Sequence, residues 1–201
     1  MKPSLLGKKY DKIASWWHDQ HHASSYGVSQ FEKAIDYAAK GGLALDVGCG
    51  AGGRLTRIME NNGFAITGLD VSQEMIALAK KNHPRHRFLH QDINTWDCDE
   101  KFDLIVAWDS LFHLPYELQT PVISKLCKSL AENGVLIYSF GDDDGEHIDR
   151  WHDDEFYYSS IGINANLQLL MNSGLTILHL ELDQYPQNHV YVIAALRATK
   201  G

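Results

Sequence analysis

The feature that most constrains the fold is a short apolar segment that runs directly into a cluster of glycines. Leu43–Val47 alternates large apolar side chains with smaller residues and predicts a buried β-strand. Gly48, Gly50 and Gly52 follow, and because glycine lacks a Cβ the backbone there can turn tightly and approach a ligand. A helix is expected from about Gly53 to Asn62, with its first N–H groups facing the glycines. The pattern predicts a ligand site at the carboxyl end of a strand in an α/β sheet.

The spacing of the glycines is compatible with two kinds of cofactor site. Gly48, Gly50 and Gly53 fit the G-x-G-x-x-G pattern of dinucleotide-binding proteins, and Asp70 follows at the usual distance for a ribose-binding acid. Asp46, two residues before the first glycine, separates the two interpretations. Its carboxylate would repel a pyrophosphate but would attract an ammonium group. Asp46 therefore favours a ligand that carries an amino group.

The segment 46–52, an aspartate followed by alternating glycines, resembles the first motif of the class I S-adenosylmethionine-dependent methyltransferases. The resemblance extends over about residues 43–197, since the next two predicted strands also end in acids, Asp70 and Asp92. It implies an α/β three-layer sandwich with a seven-stranded, mostly parallel sheet whose last strand is antiparallel. It also implies N-terminal helices that form a lid.

In this family the glycine loop and the strand-end acids bind S-adenosylmethionine, which becomes S-adenosylhomocysteine. The resemblance implies that Asp46 faces the amino group of the methionine moiety and that Asp70 accepts the ribose hydroxyls. It places Asp92 and the N–H of Ile93 against the adenine, although a turn-forming role for Asp92 is an alternative. The remaining implied contacts are Gly48, Gly50, Gly52 and Val71.

The residues before the first strand are rich in aromatic side chains. Helices are predicted over residues 10–17 and 28–39, with a polar loop between them. Family members use such helices to cover the cofactor and line the substrate pocket, and a simple cap on the core is the alternative. The resemblance assigns Tyr10 and Trp17 to the cofactor, and Trp16 and Tyr26 to the substrate.

The residues after the predicted strand Phe102–Trp108 are candidates for the chemistry. The resemblance places Trp108 against the cofactor and Asp109 or His113 near the substrate, while a packing role for His113 stays open. Family members that methylate nitrogen nucleophiles, such as those of DNA bases and protein amides, often carry Asn/Asp-Pro-Pro-Tyr here. This chain has Trp-Asp-Ser-Leu instead, which disfavours those substrates.

Residues 141–160 are rich in acids, histidines and aromatic side chains. They follow the fifth predicted strand at the ligand edge of the sheet, where family members close the substrate pocket. Acids beside aromatic rings suit a cationic or amine-bearing substrate, with a solvated acidic loop or a divalent-metal site as alternatives. His147 is a further candidate base, and the candidate substrate contacts are Glu146, Trp151, Tyr157 and Tyr158.

Composition narrows the class of partner. The chain has 201 residues, a formal net charge of −8 and no long run of Lys or Arg, so we expect a small-molecule substrate rather than a nucleic acid. Three widely spaced cysteines and the absence of a long apolar run predict a cytoplasmic protein without membrane contact, acting as a monomer or homodimer. No metal site is expected, because loop spacing fixes no ligand geometry for His18, Asp19, His21 and His22.

The sequence predicts one domain over residues 1–201. Its expected parts are N-terminal lid helices (1–40), a cofactor-binding core (43–140), a substrate-side insertion (141–160) and a C-terminal antiparallel hairpin (175–197). The predicted activity is methyl transfer from S-adenosylmethionine to a small molecule by in-line displacement, which needs mainly positioning and exclusion of water. An NAD-dependent oxidoreductase and a non-catalytic S-adenosylmethionine-binding protein are the two alternatives.

Overall fold

A seven-stranded sheet forms the centre of the computed structural model, which describes residues 1–184 and 188–197. The strands in this part of the chain are β1 (Leu43–Val47), β2 (Ala65–Asp70), β3 (Arg87–His90), β4 (Phe102–Ala107), β5 (Leu130–Gly141), β6 (Asp144–Trp151), β7 (Asp154–Ile161), β8 (Leu175–Gln184) and β9 (His189–Leu196). The central sheet has the order β3-β2-β1-β4-β5-β9-β8. β9 runs antiparallel to β5 and β8 and the other pairings are parallel, which confirms the predicted sheet and its closing hairpin.

Helices cover both faces of the sheet and complete the predicted α/β sandwich. They are α1 (Pro3–His21), α2 (Val28–Tyr37), α3 (Arg54–Asn61), α4 (Gln73–Asn82), α5 (Tyr116–Ser129) and α6 (Gly162–Asn172), with a short 3₁₀ helix at Leu111–His113. One apolar cluster joins the sheet to α2 and α3, and a second joins it to α5 and α6. β4 is apolar on both faces because it lies between these clusters. None of the helices described is long and apolar enough to cross a membrane.

The first helix is longer than the sequence predicted. α1 begins at Pro3, where the missing N–H of proline costs no helical hydrogen bond. It continues to His21, so the loop predicted from residue 18 was wrong over its first part. The rings of Trp17 and His21, one turn apart, stack with centroids 3.9 Å apart. His21 Nδ1 also donates to the Trp17 carbonyl oxygen at 3.0 Å, and both contacts stabilise the last turn.

Residues 141–160 contain two regular strands rather than a solvated loop. β6 and β7 pair antiparallel as a two-stranded sheet of their own. The turn between them is His152–Asp153, and both residues have positive φ, 49° and 59°. Two successive residues of positive φ are typical of a type I′ hairpin turn, which glycine and asparagine usually form. Because this turn contains neither glycine nor asparagine, the sequence did not indicate a hairpin here.

Lys125 on α5 holds the loop that follows β3. Its Nζ donates to the carbonyl oxygens of Ile93, Asn94 and Trp96 at 3.0, 3.0 and 2.7 Å. A charged donor shared by three carbonyl groups is a strong local constraint. Lys125 therefore fixes the conformation of the loop that carries Asp92 and Ile93.

Replacing Lys125 with methionine should lower the free energy of unfolding by about 2 kcal/mol, because three carbonyl groups lose a charged donor. Urea denaturation followed by circular dichroism measures the loss. The control is Lys128→Met, the same change at an exposed lysine of the same helix, which should cost under about 0.5 kcal/mol. Equal losses in the two variants would show that the carbonyl contacts do not stabilise the loop.

Candidate functional site

The carboxyl ends of β1, β2 and β4 meet at one edge of the sheet and open into a cavity, which we call the first cavity. Its wall combines the glycine loop, the residues after β2 and β3, and side chains from α1. All the residues that the sequence assigned to the cofactor line it: Tyr10, Trp17, Asp46, Gly48, Gly50, Gly52, Asp70, Val71, Asp92, Ile93 and Trp108. The fold thus brings together segments that are far apart in the chain.

The glycine loop has a backbone that few other residues adopt. Gly48, Gly50 and Gly52 have φ values of 74°, 54° and 62°, in the left-handed region. A Cβ on Gly48 would lie 2.3 Å from the Cβ of Ser110, which excludes a side chain there. A Cβ on Gly50 would lie 3.7 Å from Trp17 Nε1, an ordinary van der Waals distance, so the positive φ rather than a clash favours glycine there.

Asp70 holds the glycine loop in place. One of its carboxylate oxygens accepts the Gly50 N–H at 2.9 Å, and the other accepts the Ser72 N–H at 2.8 Å. Burial raises the pKa of Asp70, and these hydrogen bonds oppose that effect. Each carboxylate oxygen has a further lone pair, so the group can also accept hydrogen bonds from a ligand.

Asp46 is a buried acid at the base of the first cavity. Burial and the charge of Asp70 raise its pKa to about 7, while Arg54 acts in the opposite direction. Within residues 1–184 and 188–197, no group donates a hydrogen bond to its carboxylate. A cation bound beside Asp46 would lower its pKa and favour its ionised form. The position suits a positively charged ligand group.

A second cavity of about 710 Å³ lies beside the first, against the β6–β7 hairpin. Tyr10, Trp17, Asp109 and His113 line both cavities and form their junction. The second cavity is also lined by most of the other residues that the sequence predicted to bind the substrate or to transfer a proton. They are Tyr26, Glu146, His147, Trp151 and Tyr158.

Two of the predicted substrate residues lie behind this wall. Trp16 is 39% exposed and packs edge-on against Trp151, with ring centroids 5.6 Å apart. The hydroxyl of Tyr157 donates to Glu146 at 2.5 Å. Neither Trp16 nor Tyr157 is among the described residues that line the two cavities, so they support lining residues rather than face the space.

His113 is buried and engaged at both ring nitrogens. Nδ1 donates to the carbonyl oxygen of Tyr157 at 2.9 Å, which leaves Nε2 to accept the Tyr10 hydroxyl at 2.8 Å. Burial lowers the pKa of His113 to about 4, despite this hydrogen bond and the charge of Asp109. The ring is therefore neutral at physiological pH. Its two hydrogen bonds connect α1 to β7 of the β6–β7 hairpin.

A chain of three charged groups at the junction was not predicted from the sequence. His189 Nε2 lies 2.9 Å from Asp109 Oδ1, and its Nδ1 lies 2.5 Å from Asp183 Oδ1. Burial lowers the pKa of His189, but the two carboxylates outweigh that effect and the net shift is upward. Asp109 and His189 are 80 positions apart, and only the pairing of β9 beside β5 brings them together.

α1 bridges the two cavities and is fixed at both. Lys9 and Lys12 both form ion pairs with Asp154 on the hairpin, the latter at 2.9 Å. On the opposite side Asp11 accepts the Ser72 hydroxyl at 2.6 Å, where α4 begins. These contacts hold α1 across the opening of the first cavity.

We expect Asp46→Asn to raise the melting temperature of the protein without ligand at about pH 8. The folded-state pKa of about 7 lies above the ordinary aspartate value of 3.8. The protonated side chain of Asp46 therefore leaves the stability of the folded protein unchanged at low pH. As pH rises towards 7 the side chain ionises, and the folded protein becomes less stable. Differential scanning calorimetry should show a gain of about 3 °C or more at pH 8 and little change near pH 4.

The control for this measurement is Asp99→Asn, which removes an acid from the surface. It should leave the melting temperature within about 1 °C of the wild-type value at both pH values. A melting temperature of Asp46→Asn below that of the wild type at about pH 8 would contradict the high pKa of Asp46.

Comparison with known proteins agrees with this architecture. Residues 44–134 match a family model described as a methyltransferase domain. The ubiquinone biosynthesis O-methyltransferase of Pasteurella multocida is 31% identical over 155 residues, which are 65% of this chain and 62% of that protein. The chain spans between 40% and 62% of the length of the first curated relatives it matches.

Solved structures share the fold over almost the whole chain. A Burkholderia thailandensis 1,6-didemethyltoxoflavin-N1-methyltransferase, solved with its named substrate and S-adenosylhomocysteine, has a TM-score of 0.70 at 18% identity and covers 98% of this chain and 92% of its own. The [4+2]-cyclase SpnF has a TM-score of 0.75 at 18% identity, with 98% and 97% covered. The family model and the solved structures together show that residues 44–134 are similar to a methyltransferase domain and that the chain has the fold of S-adenosylmethionine-dependent methyltransferases.

Proposed function

We propose that the first cavity binds S-adenosylmethionine and that the protein transfers its methyl group to a small molecule in the second cavity. The observation that carries this proposal is the shared wall of the two cavities. Tyr10, Trp17, Asp109 and His113 line both, so a donor in one and an acceptor in the other would meet there. The named activities of the curated relatives, methylation in ubiquinone biosynthesis and of trans-aconitate, support the same reaction type.

The chemistry of the first cavity fits this cofactor group by group. Asp46 would pair with the ammonium of the methionine moiety, and Asp70 would accept the two ribose hydroxyls. The Ile93 N–H donates to no acceptor in the part of the chain that the structure describes, which leaves it for an adenine nitrogen. Asp92 accepts the Asn94 N–H through Oδ1 and would take the adenine amino group through its other oxygen.

The protein's task in this reaction is to position the partners and exclude water. Bound S-adenosylmethionine would supply a methyl group already activated by the sulfonium. α1 covers the first cavity through the Tyr10–His113 hydrogen bond and the ion pairs of Lys9 and Lys12 with Asp154. In this proposal residues 1–40 are the lid, 43–140 the cofactor-binding core, 141–160 the substrate wall and 175–197 the closing hairpin of one domain.

The charge of the site argues against the dinucleotide alternative. Asp46 lines the first cavity, and its carboxylate raises the cost of placing a pyrophosphate beside the glycine loop. The same carboxylate attracts an ammonium group. A second cavity of substrate size argues against a protein that only binds the cofactor.

Isothermal titration calorimetry should show micromolar binding of S-adenosylhomocysteine and no binding of NAD. Asp70→Asn should weaken the binding at least about tenfold, because the ribose loses a charged acceptor. The matched control, Asp99→Asn, removes the same charge at the surface and should bind normally. Because Asp70 also holds Gly50, the variant's thermal unfolding is measured alongside. Binding of NAD without binding of S-adenosylhomocysteine would overturn the proposal.

The affinity for S-adenosylhomocysteine should rise as pH increases from about 5.5 to 7. The ammonium pairs with ionised Asp46, whose pKa of about 7 means that binding at lower pH must release a proton. The increase attributable to Asp46 is at most about tenfold per pH unit. In Asp46→Asn we expect weaker binding at pH 7 and a smaller slope. An unchanged slope would show that Asp46 does not contact the amino group.

A further inference from the structure

We propose that the acceptor is an amine that enters the second cavity as an ammonium ion, and that Asp109 takes its proton before methyl transfer. His189 and Asp183 act as positioning residues that hold the Asp109 carboxylate. This inference rests on the proposed methyl-transfer function and specifies its substrate class. Three features of the structure support it: the location of Asp109, the hydrogen bonds that hold its carboxylate, and the charges that line the second cavity.

Asp109 is placed where an acceptor would meet the methyl group, since it lines both cavities. Of the polar residues at this junction, His113 has both ring nitrogens engaged and Tyr10 donates its hydroxyl to His113. Oδ1 of Asp109 receives hydrogen bonds from His189 and Ser139, and the Tyr26 hydroxyl also interacts with the Asp109 carboxylate. It is the carboxylate at the junction and can accept a proton there.

The backbone of Asp109 is held in an uncommon conformation. Its φ of 52° lies in the left-handed region, which an aspartate adopts at an energetic cost. The Asp109 N–H donates to Ser139 Oγ at 2.8 Å, and the Ser139 hydroxyl donates back to Oδ1 at 3.1 Å. Residues held in such conformations cluster at functional sites. Here the conformation directs the carboxylate to the junction.

Asp109, His189 and Asp183 together have a net charge of about −1 when His189 is protonated. His189 lies between two carboxylates that stabilise its protonated form, so the group of Asp109, His189 and Asp183 has two negative charges and one positive charge. The side chain of Asp183 is 3% exposed, and its second oxygen accepts the Gln30 amide at 2.9 Å. Arg54, which lines the first cavity, interacts favourably with the charge of Asp109 from that side. An ammonium on the acceptor would be attracted to the same carboxylate from the second cavity.

The wall of the second cavity favours the same class of acceptor. Its described lining residues include six acids, several aromatic rings and three histidines, among them His189, and no Lys or Arg. Such a wall repels a carboxylate and binds an ammonium through carboxylates and ring faces. The acids other than Asp109 are near solvent and contribute less, because water and salt screen them. They are Asp142, Asp143, Asp144, Glu146 and Asp149.

The proposed step balances in atoms and charge. The ammonium nitrogen gives one proton to the Asp109 carboxylate and becomes a neutral amine with a free electron pair. That pair forms the new bond to the methyl carbon while the carbon–sulfur bond breaks, and its electrons stay on sulfur. The sulfonium becomes a neutral thioether and the product leaves as a methylated ammonium. Asp109 then releases its proton to solvent.

The first test compares pairs of ligands that differ in the sign of one charge: tryptamine with indole-3-propionate, and phenethylamine with 3-phenylpropionate. Binding to the protein loaded with S-adenosylhomocysteine is measured by ligand-observed NMR. We expect the amines to bind at least about tenfold more tightly than the acids, and Asp109→Asn to remove this preference. Glu132→Gln, at the surface, removes the same charge and should preserve it.

The outcomes separate this inference from the proposed function. Failure of S-adenosylhomocysteine to bind the same sample contradicts the proposed function itself. If it binds but the acids bind as tightly as the amines, no amine binds, or Asp109→Asn keeps the preference, only the inference is overturned.

The second test examines the positioning role through the protonation of His189. The titratable groups that face its ring are Asp109 after β4, Asp183 on β8 and the Tyr26 hydroxyl before α2. ¹⁵N NMR at about pH 7.5 should find both ring nitrogens protonated. Asp183→Asn should lower the pH of deprotonation by about one unit or more. A neutral His189 ring in the wild-type protein would contradict the proposed charge arrangement.

Discussion

The carboxylate of Asp70 is the interaction on which the site depends. It ends β2, and its two oxygens accept N–H groups from the glycine loop after β1 and from the start of α4. One side chain thereby fixes two segments that the parallel pairing of β1 and β2 has already brought side by side. The same group remains available to a ligand, because a carboxylate accepts more than two hydrogen bonds. Loop geometry and ligand binding are therefore coupled.

Negative charge is concentrated where the sheet opens. Asp46 is buried and Asp70 half-buried at the first cavity, and Asp109 stands at the junction with the second. Burial and the charge of Asp70 raise the pKa of Asp46, which reduces the stability of the protein without ligand above neutral pH. In the proposed function a cationic ligand beside Asp46 would offset this cost. His189, held between two carboxylates, shows that the fold can also place a protein cation within this field.

The sequence was sufficient for the parts of the fold that depend on local pattern. The apolar strands, the glycine loop, the strand-end acids and the closing hairpin were predictable because each has a characteristic spacing. The extension of α1 to His21 and the β6–β7 hairpin were not, since one depends on ring stacking and the other on a turn without glycine. His189 and Asp183 were missed because strand pairing alone places them beside Asp109.

A crystal structure of the complex with S-adenosylhomocysteine would show whether the first cavity is the cofactor site. We expect the ligand in the first cavity, with its ribose hydroxyls on Asp70, its amino group beside Asp46 and its adenine against Asp92 and the Ile93 N–H. Its sulfur should point through the junction towards Asp109. A ligand bound outside this cavity, or bound with its ribose away from Asp70, would contradict the assignment of the site.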